Sequence, residues 1–132
     1  MRSSRAYTSA LVQAINSARA ANGVAPLQID LRLMTAAKGQ SAYLASLGKL
    51  DHTGPGGSNV MTRVSRLGYH GNMVGEDLAA GMGPAATVHA WMSDAGHRAN
   101  LLEPRFHVVG VGVATGTLGG GSAPFVTADF GS

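Results

Sequence analysis

Five histidines and seven acidic residues have the chemistry to bind a cation or to move a proton, and four of them are candidates for a site: His52, Glu76, Asp94 and His97. Glu76 belongs to the acidic pair Glu76-Asp77 inside an otherwise apolar segment. A carboxylate in apolar surroundings needs a partner, and an imidazole suits it because the carboxylate fixes the ring tautomer and raises its basicity. Imidazole nitrogens with carboxylate oxygens also form sites for zinc or a similar divalent cation.

The wide spacing of these residues along the chain does not specify a site by itself. The alternative is that His52 is a solvated loop residue, Glu76 a surface charge and His97 the N-terminal residue of a short helix. We expect the remaining histidines to be structural or exposed; they are His70, His89 and His107.

Several kinds of chemistry are excluded by absent motifs. The chain has no cysteine, which excludes disulfides and thiolate nucleophiles. It also lacks HExxH, GxSxG and GxxxxGK[ST], the signatures of metalloprotease helices, nucleophile elbows and phosphate-binding loops.

Composition indicates one globular domain spanning residues 1–132. Hydrophobic residues make up 45% of the 132 residues and charged residues 13%. No apolar run approaches the roughly 18 residues of a membrane span, so we expect no transmembrane segment and a soluble chain. The net charge is only +3 and aromatic residues make up 5%, so we expect no nucleic-acid partner. We expect solvated surface charges at Arg63, Arg66, Arg98 and Arg105.

The apolar pattern predicts helices first and an antiparallel hairpin last. Helical spacing favours helices over 8–22, 30–48 and 59–68, and a fourth that begins at Pro84 and ends at Ala95-Gly96. The predicted N-caps of the first three are Thr8 or Ser9, Asp30 and Asn59, and Gly48 closes the second. VVGVGVAT and PFVTADF alternate with a period of two, which predicts two paired strands, and the glycines of the first leave one face bare for close approach. Segment 72–80 is ambiguous between strand and loop. This order is typical of an α+β layered domain.

Several segments, taken in order, resemble the CAP superfamily, named for cysteine-rich secretory proteins, antigen 5 and pathogenesis-related proteins. They are LVQAINSARAANGVAPLQID, the DH of LDHTGPGG, NVMTRVSRLGY, GEDLAAG, WMSDAGHRANLL, and FHVVGVGVA with FVTADFG. The resemblance is greatest to the short, cysteine-free bacterial branch called SCP-like extracellular domains, and it covers residues 7–131. It implies an α-β-α sandwich with a small antiparallel sheet between helical layers, to which segment 72–80 supplies a third strand.

The resemblance also implies a cleft lined by two histidines and two acidic residues. His52, Glu76 and His97 match three of these positions. Asp94 takes the place of a glutamate of animal and plant members, where many bacterial relatives have serine, and it either completes the site or reaches it through water. GED replaces GEN, so Asp77 either adds negative charge that favours a cation or points outward from a strand. Helix termination at Ala95-Gly96 is expected to turn His97 away from Trp91 and toward the cleft.

Three functions follow from these expectations, in this order. The first is a secreted or cell-envelope binding module, its signal peptide removed, in which His52 and His97 hold zinc or another divalent cation and the cleft binds a lipid, sterol or cell-envelope component. The second is a metal-assisted or serine hydrolase of peptide, ester or cell-wall bonds, with Glu76 or Asp94 as general base. The third is an interaction domain with a degenerate cleft. Binding is favoured over catalysis, and the sequence leaves the ligand and the oligomeric state open.

Overall fold

A computed structural model describes residues 3–132 as five α-helices and four β-strands. The helices are α1 (Ser4–Ala21), α2 (Leu31–Leu47), α3 (Val60–Arg66), α4 (Pro84–Met92) and α5 (Ala95–Leu101). The strands are β1 (Gln28–Ile29), β2 (Val74–Ala80), β3 (Val108–Leu118) and β4 (Gly121–Gly131), and a short 3-10 turn spans Pro55–Gly57.

The strands form one sheet in the order β1-β3-β4-β2. β3 and β4 are the predicted antiparallel hairpin, and β2 pairs antiparallel with β4, so the ambiguous segment 72–80 forms a strand. The short β1 pairs with β3 in parallel, which the sequence did not predict. β2 therefore lies at one edge of the sheet.

Helices cover both faces of this sheet, because side chains alternate between faces along a strand. Valines of β3 and Trp91 of α4 pack with α1 on one face, where the Trp91 ring is 1% exposed and donates to the Leu78 carbonyl. On the other face, Leu33 of α2 packs with Val64 of α3. The predicted α-β-α sandwich is thus confirmed.

The helix α2 lies close to the sheet because β3 presents glycines to it. A Cβ placed on Gly112 would lie 2.5 Å from the Ala37 carbonyl carbon, and one on Gly110 would clash with the Leu33 backbone. The bare strand face predicted from the Val-Gly alternation is therefore occupied by the backbone of α2.

Two helix boundaries differ from the predicted ones. α1 is capped by Ser3 and begins before the predicted Thr8 or Ser9. α4 ends at Met92, two residues before Asp94 caps a separate helix, α5, that contains Gly96. The predicted stop at Ala95-Gly96 was wrong, because the Asp94 carboxylate accepts from the His97 amide and starts a new helix there.

Candidate functional site

His52 and Glu76 form a pair in which an exposed ring lies on a buried carboxylate. The Nδ1 atom of His52 is 3.0 Å from Glu76 Oε1. The side chain of Glu76 is 2% exposed and that of His52 is 64% exposed. Glu76 is therefore not a surface charge, and its carboxylate orients an imidazole whose other nitrogen, Nε2, is the one left for a ligand.

Arg63 of α3 holds both members of this pair. Its Nη2 donates to Glu76 Oε2 over 2.7 Å, and its Nη1 donates to the main-chain carbonyls of His52 at 3.0 Å and Ser58 at 2.8 Å. The expectation that Arg63 is a solvated surface charge was wrong, since its side chain is only 9% exposed. A signal existed, because Arg63 lies between Val60 and Leu67 at helical spacing and so shares the apolar face of α3.

Gln40 of α2 holds the same loop from its other side. Its Nε2 donates to the Asp51 carbonyl at 2.9 Å and to the Thr53 carbonyl at 3.4 Å. Gly54 lies against this anchor, since a Cβ there would be 2.5 Å from Gln40 Oε1. Side chains of α2 and α3 thus fix the backbone on both sides of His52.

Asp94 and His97 form a second acid–imidazole pair. Asp94 Oδ2 accepts from the His97 amide at 3.1 Å and lies 2.7 Å from His97 Nδ1. The hydrogen bond from the His97 backbone, together with the His97 ring, lowers the pKa of Asp94 below its usual value. The His97 ring stacks on Trp91 with centroids 6.5 Å apart, so the expectation that His97 turns away from Trp91 was wrong.

Asn100 attaches α5 to β2 beside Glu76. Its Nδ2 donates to the Glu76 carbonyl at 3.3 Å and to Asp77 Oδ1 at 2.9 Å. Asp77 is fully buried, so it does not point outward into solvent. Burial raises the pKa of Asp77 to about 7 against the opposing hydrogen bond from Asn100, and the charges of Asp94 and Glu76 raise it further.

The His52–Glu76 pair and the Asp94–His97 pair lie near the edge strand β2 but belong to different layers. Glu76 contacts Arg63 of α3 on one face, whereas Asp77 contacts Asn100 of α5 on the other. Within residues 3–132, no hydrogen bond or ion pair joins His97 or Asp94 directly to His52 or Glu76. The same residues include no group of three or more histidine, cysteine or acidic side chains arranged to hold a metal ion.

A hollow that was not predicted from the sequence lies where α1 and α4 begin. It has a volume of about 320 Å³ between those helix ends and the β3–β4 hairpin. Its lining is mostly apolar and includes Tyr7, Met82, Pro84, Val113, Ala123 and Pro124. None of the four predicted site residues contributes to it.

The sequence profile of the CAP, or cysteine-rich secretory protein, family matches residues 12–130. The chain belongs to the CAP family. A curated relative, the uncharacterized protein YkwD of Bacillus subtilis, is 34% identical over 108 residues, which are 81% of this chain and 42% of that protein. This CAP chain therefore spans less than half the length of that relative.

Solved structures share the CAP fold at low sequence identity. An extracellular protein of Bacillus anthracis containing an SCP domain superposes with a TM-score of 0.86 at 24% identity, over 97% of this chain and 41% of that one. An outer surface protein of Borrelia burgdorferi gives a TM-score of 0.77 at 24% identity, over 92% and 89% of the two chains. Among the helices described in this CAP domain, none has the length and apolar character needed to cross a membrane.

Proposed function

We propose that this CAP domain is a secreted or cell-envelope binding module in which His52 and His97 provide imidazole ligands for a divalent cation, with zinc as the best match. The observation that carries the proposal is the contact between His52 Nδ1 and the buried Glu76 carboxylate. Such a carboxylate favours the tautomer with a proton on Nδ1, which leaves the lone pair on Nε2 for a metal. Asp94 makes the corresponding contact with His97.

This donor set fits an open site better than a closed structural one. Zinc takes nitrogen ligands readily, and structural zinc sites use four protein ligands, whereas sites with fewer leave positions for other molecules. Two imidazoles would leave those positions to water or to donor groups of the bound ligand. The cation would supply a positive, electron-accepting centre for such groups.

The location is proposed from the relatives. One solved CAP relative is described as extracellular and another as an outer surface protein. A module at the cell surface would meet lipid, sterol or cell-envelope components, which are the ligand classes that we propose.

Zinc calorimetry on the purified domain tests the cation site. We expect binding that disappears in the double variant His52→Ala/His97→Ala. The matched control is His70→Ala/His89→Ala, which removes two exposed histidines of the same chain. The cation proposal would be overturned if the double variant bound zinc as tightly as the wild type, or if the wild type bound no zinc.

The apolar hollow at the start of α1 and α4 favours a second, compatible function, the binding of an acyl chain. Its volume of about 320 Å³ is near the lower end of the range for small-molecule sites. We expect a fluorescent fatty acid to bind there and Ser122→Trp, which adds bulk to the lining, to weaken binding. Ser9→Trp places the same ring on the exposed side of α1 and should leave binding unchanged. Equal binding by both variants would refute this function.

Hydrolysis receives less support from the same geometry. Both oxygens of Glu76 are already engaged, by His52 and Arg63, and the pKa of Asp94 is lowered, which makes it a weak base. Hydrolase activity therefore stays an alternative, to be tested with peptide, ester and peptidoglycan substrates in the presence of zinc.

A further inference from the structure

Another buried carboxyl group, that of Asp129, lies directly opposite Glu76 in the sheet. The two residues are cross-strand partners in the β2–β4 register, so their side chains point to the same face. Glu76 is 6% exposed and Asp129 is 0% exposed. Two acidic side chains in direct register would repel each other if both were ionised.

Among residues 3–132, Arg63 is the one arginine or lysine that reaches these two carboxyl groups, and it binds Glu76. Arg63 donates to Glu76 over 2.7 Å, while His52 contacts the other oxygen. Neither oxygen of Asp129 has a donor among residues 3–132. The negative charge of the pair therefore resides on Glu76, because an ionised Asp129 would have neither solvent nor a donor.

In the described part of the chain, the helix that packs over Asp129 adds no compensating charge. α2 packs on this face, and its buried side chains are all uncharged: Leu33, Ala36, Ala37, Gln40, Ser41 and Leu44. Burial raises the pKa of Asp129 well above its usual value, contact with Glu76 raises it further, and Arg63 opposes this only in part.

We propose that Asp129 is a positioning residue that stays protonated in the folded protein at neutral pH and donates its hydroxyl hydrogen to the Glu76 carboxylate. Glu76 then accepts hydrogen bonds from three directions, from Arg63, His52 and Asp129. The bond to Asp129 holds the carboxylate toward the His52 ring. The effect of Asp129 on cation binding rests on the proposed function, whereas the protonation of Asp129 does not.

Carbon-13 NMR of protein labelled at the aspartate carboxyl carbons tests the proton directly and without zinc. At pH 7 we expect the Asp129 signal to have the chemical shift of a neutral acid and to be absent in Asp129→Asn. The Asp77 signal should lie between the neutral and ionised shifts, because the pKa of Asp77 is about 7. The variant Asp77→Asn identifies the signal of the other buried aspartate. An Asp129 signal with the shift of an ionised carboxylate at pH 7 would overturn the proposal.

Two substitutions test the positioning role. Asp129→Asn keeps an N–H donor for Glu76 and should preserve the His52 tautomer, read from the nitrogen-15 shifts of the ring, whereas Asp129→Leu should mix the tautomers. Thr127→Val is the matched control, because it removes a buried hydroxyl of β4 that bonds to Ser41. An unchanged tautomer in Asp129→Leu would refute the positioning role, and if that variant fails to fold, the carbon-13 signal of the wild type decides.

Zinc titration of the same variants connects this inference to the cation site. We expect Asp129→Leu to bind zinc about tenfold more weakly and Asp129→Asn to bind it as the wild type does, since residues behind a ligand set its orientation. Absence of zinc binding in the wild type would refute the proposed function alone, because the NMR measurements would still report the proton. Equal zinc affinity in Asp129→Leu and the wild type would refute the effect of Asp129 on the site.

Discussion

The guanidinium of Arg63 donates a hydrogen bond to the main-chain carbonyl of His52 over 3.0 Å, so a buried residue of α3 fixes the backbone that carries the exposed ring. The same guanidinium also binds Glu76, the partner of that ring. One side chain therefore sets the relative positions of the histidine and its carboxylate.

Replacing Arg63 by methionine should destabilise the domain strongly. The substitution leaves the Glu76 carboxylate buried without its cation, which typically costs about 3–5 kcal/mol of unfolding free energy. Urea denaturation of Arg63→Met measures the loss, and Arg66→Met, an exposed position on the same helix, is the control. Similar unfolding free energies for the two variants would contradict the anchoring role of Arg63.

Asp77 should make stability fall as pH rises toward neutrality. Its pKa of about 7 in the folded state lies above the ordinary 3.8, so between these values the unfolded chain loses the proton first and is favoured. At about 1.4 kcal/mol per pKa unit, the loss approaches about 4 kcal/mol near pH 7 and then levels off. Asp77→Asn should remove this contribution and leave the one that Asp129 makes with the same sign.

Urea denaturation between pH 5 and pH 8 measures this effect. Asp51→Asn provides the control, because Asp51 is an exposed aspartate in the His52 loop. Parallel pH profiles for the wild type and Asp77→Asn would show that Asp77 ionises as easily in the folded protein as in the unfolded chain.

Asp94 both caps α5 and contacts His97 Nδ1, and substitutions can separate these two roles. Serine can cap α5 but cannot pair with His97 Nδ1, whereas alanine does neither. We expect Asp94→Ser to retain slow amide exchange in α5 and Asp94→Ala to lose it. In both variants the nitrogen-15 shifts of the His97 ring should show a mixture of the two tautomers. The lowered pKa of Asp94 means that the wild-type contribution is complete above pH 4 and disappears as pH falls further. Fast exchange in both variants would indicate that the carboxylate itself is required.

Gly112 should not accept even one methyl group. The added Cβ would lie 2.5 Å from the Ala37 backbone, which cannot move without shifting α2, so we expect Gly112→Ala to cost about 1–3 kcal/mol or more. At Gly121 a Cβ meets nothing within 4 Å, which makes Gly121→Ala the control. Thermal unfolding compares the two, and equal midpoints would contradict the close packing of α2 on β3.

Features whose cause is local could be predicted from the sequence. Asp30 and Asn59 cap α2 and α3 as expected, and Gly48 ends α2 with a φ of 69°, because these signals depend on neighbouring residues only. The Val-Gly alternation likewise predicted both the strand and the close approach of a helix.

The predictions that were wrong, and the burial that was missed, depend on partners distant in the chain or on a residue type that is compatible with two local structures. Arg63 is buried because Glu76 lies beside it in space, thirteen residues further along. Asp129 alternates with apolar neighbours in FVTADF as a solvated residue would, yet it is fully buried, opposite Glu76 and under α2. Glycine at position 96 favours a helix stop, yet glycine is tolerated in a first helical turn, where its amide has no intrahelical partner.

Gln40 and Arg63 hold the His52 loop through its main-chain carbonyls, which every amino acid possesses. Most side chains of that loop can therefore be exchanged without loosening its attachment, provided that position 52 keeps its ring and position 54 stays free of a Cβ. The segment is a natural graft site, where a new recognition sequence can be installed next to the imidazole on an unchanged scaffold.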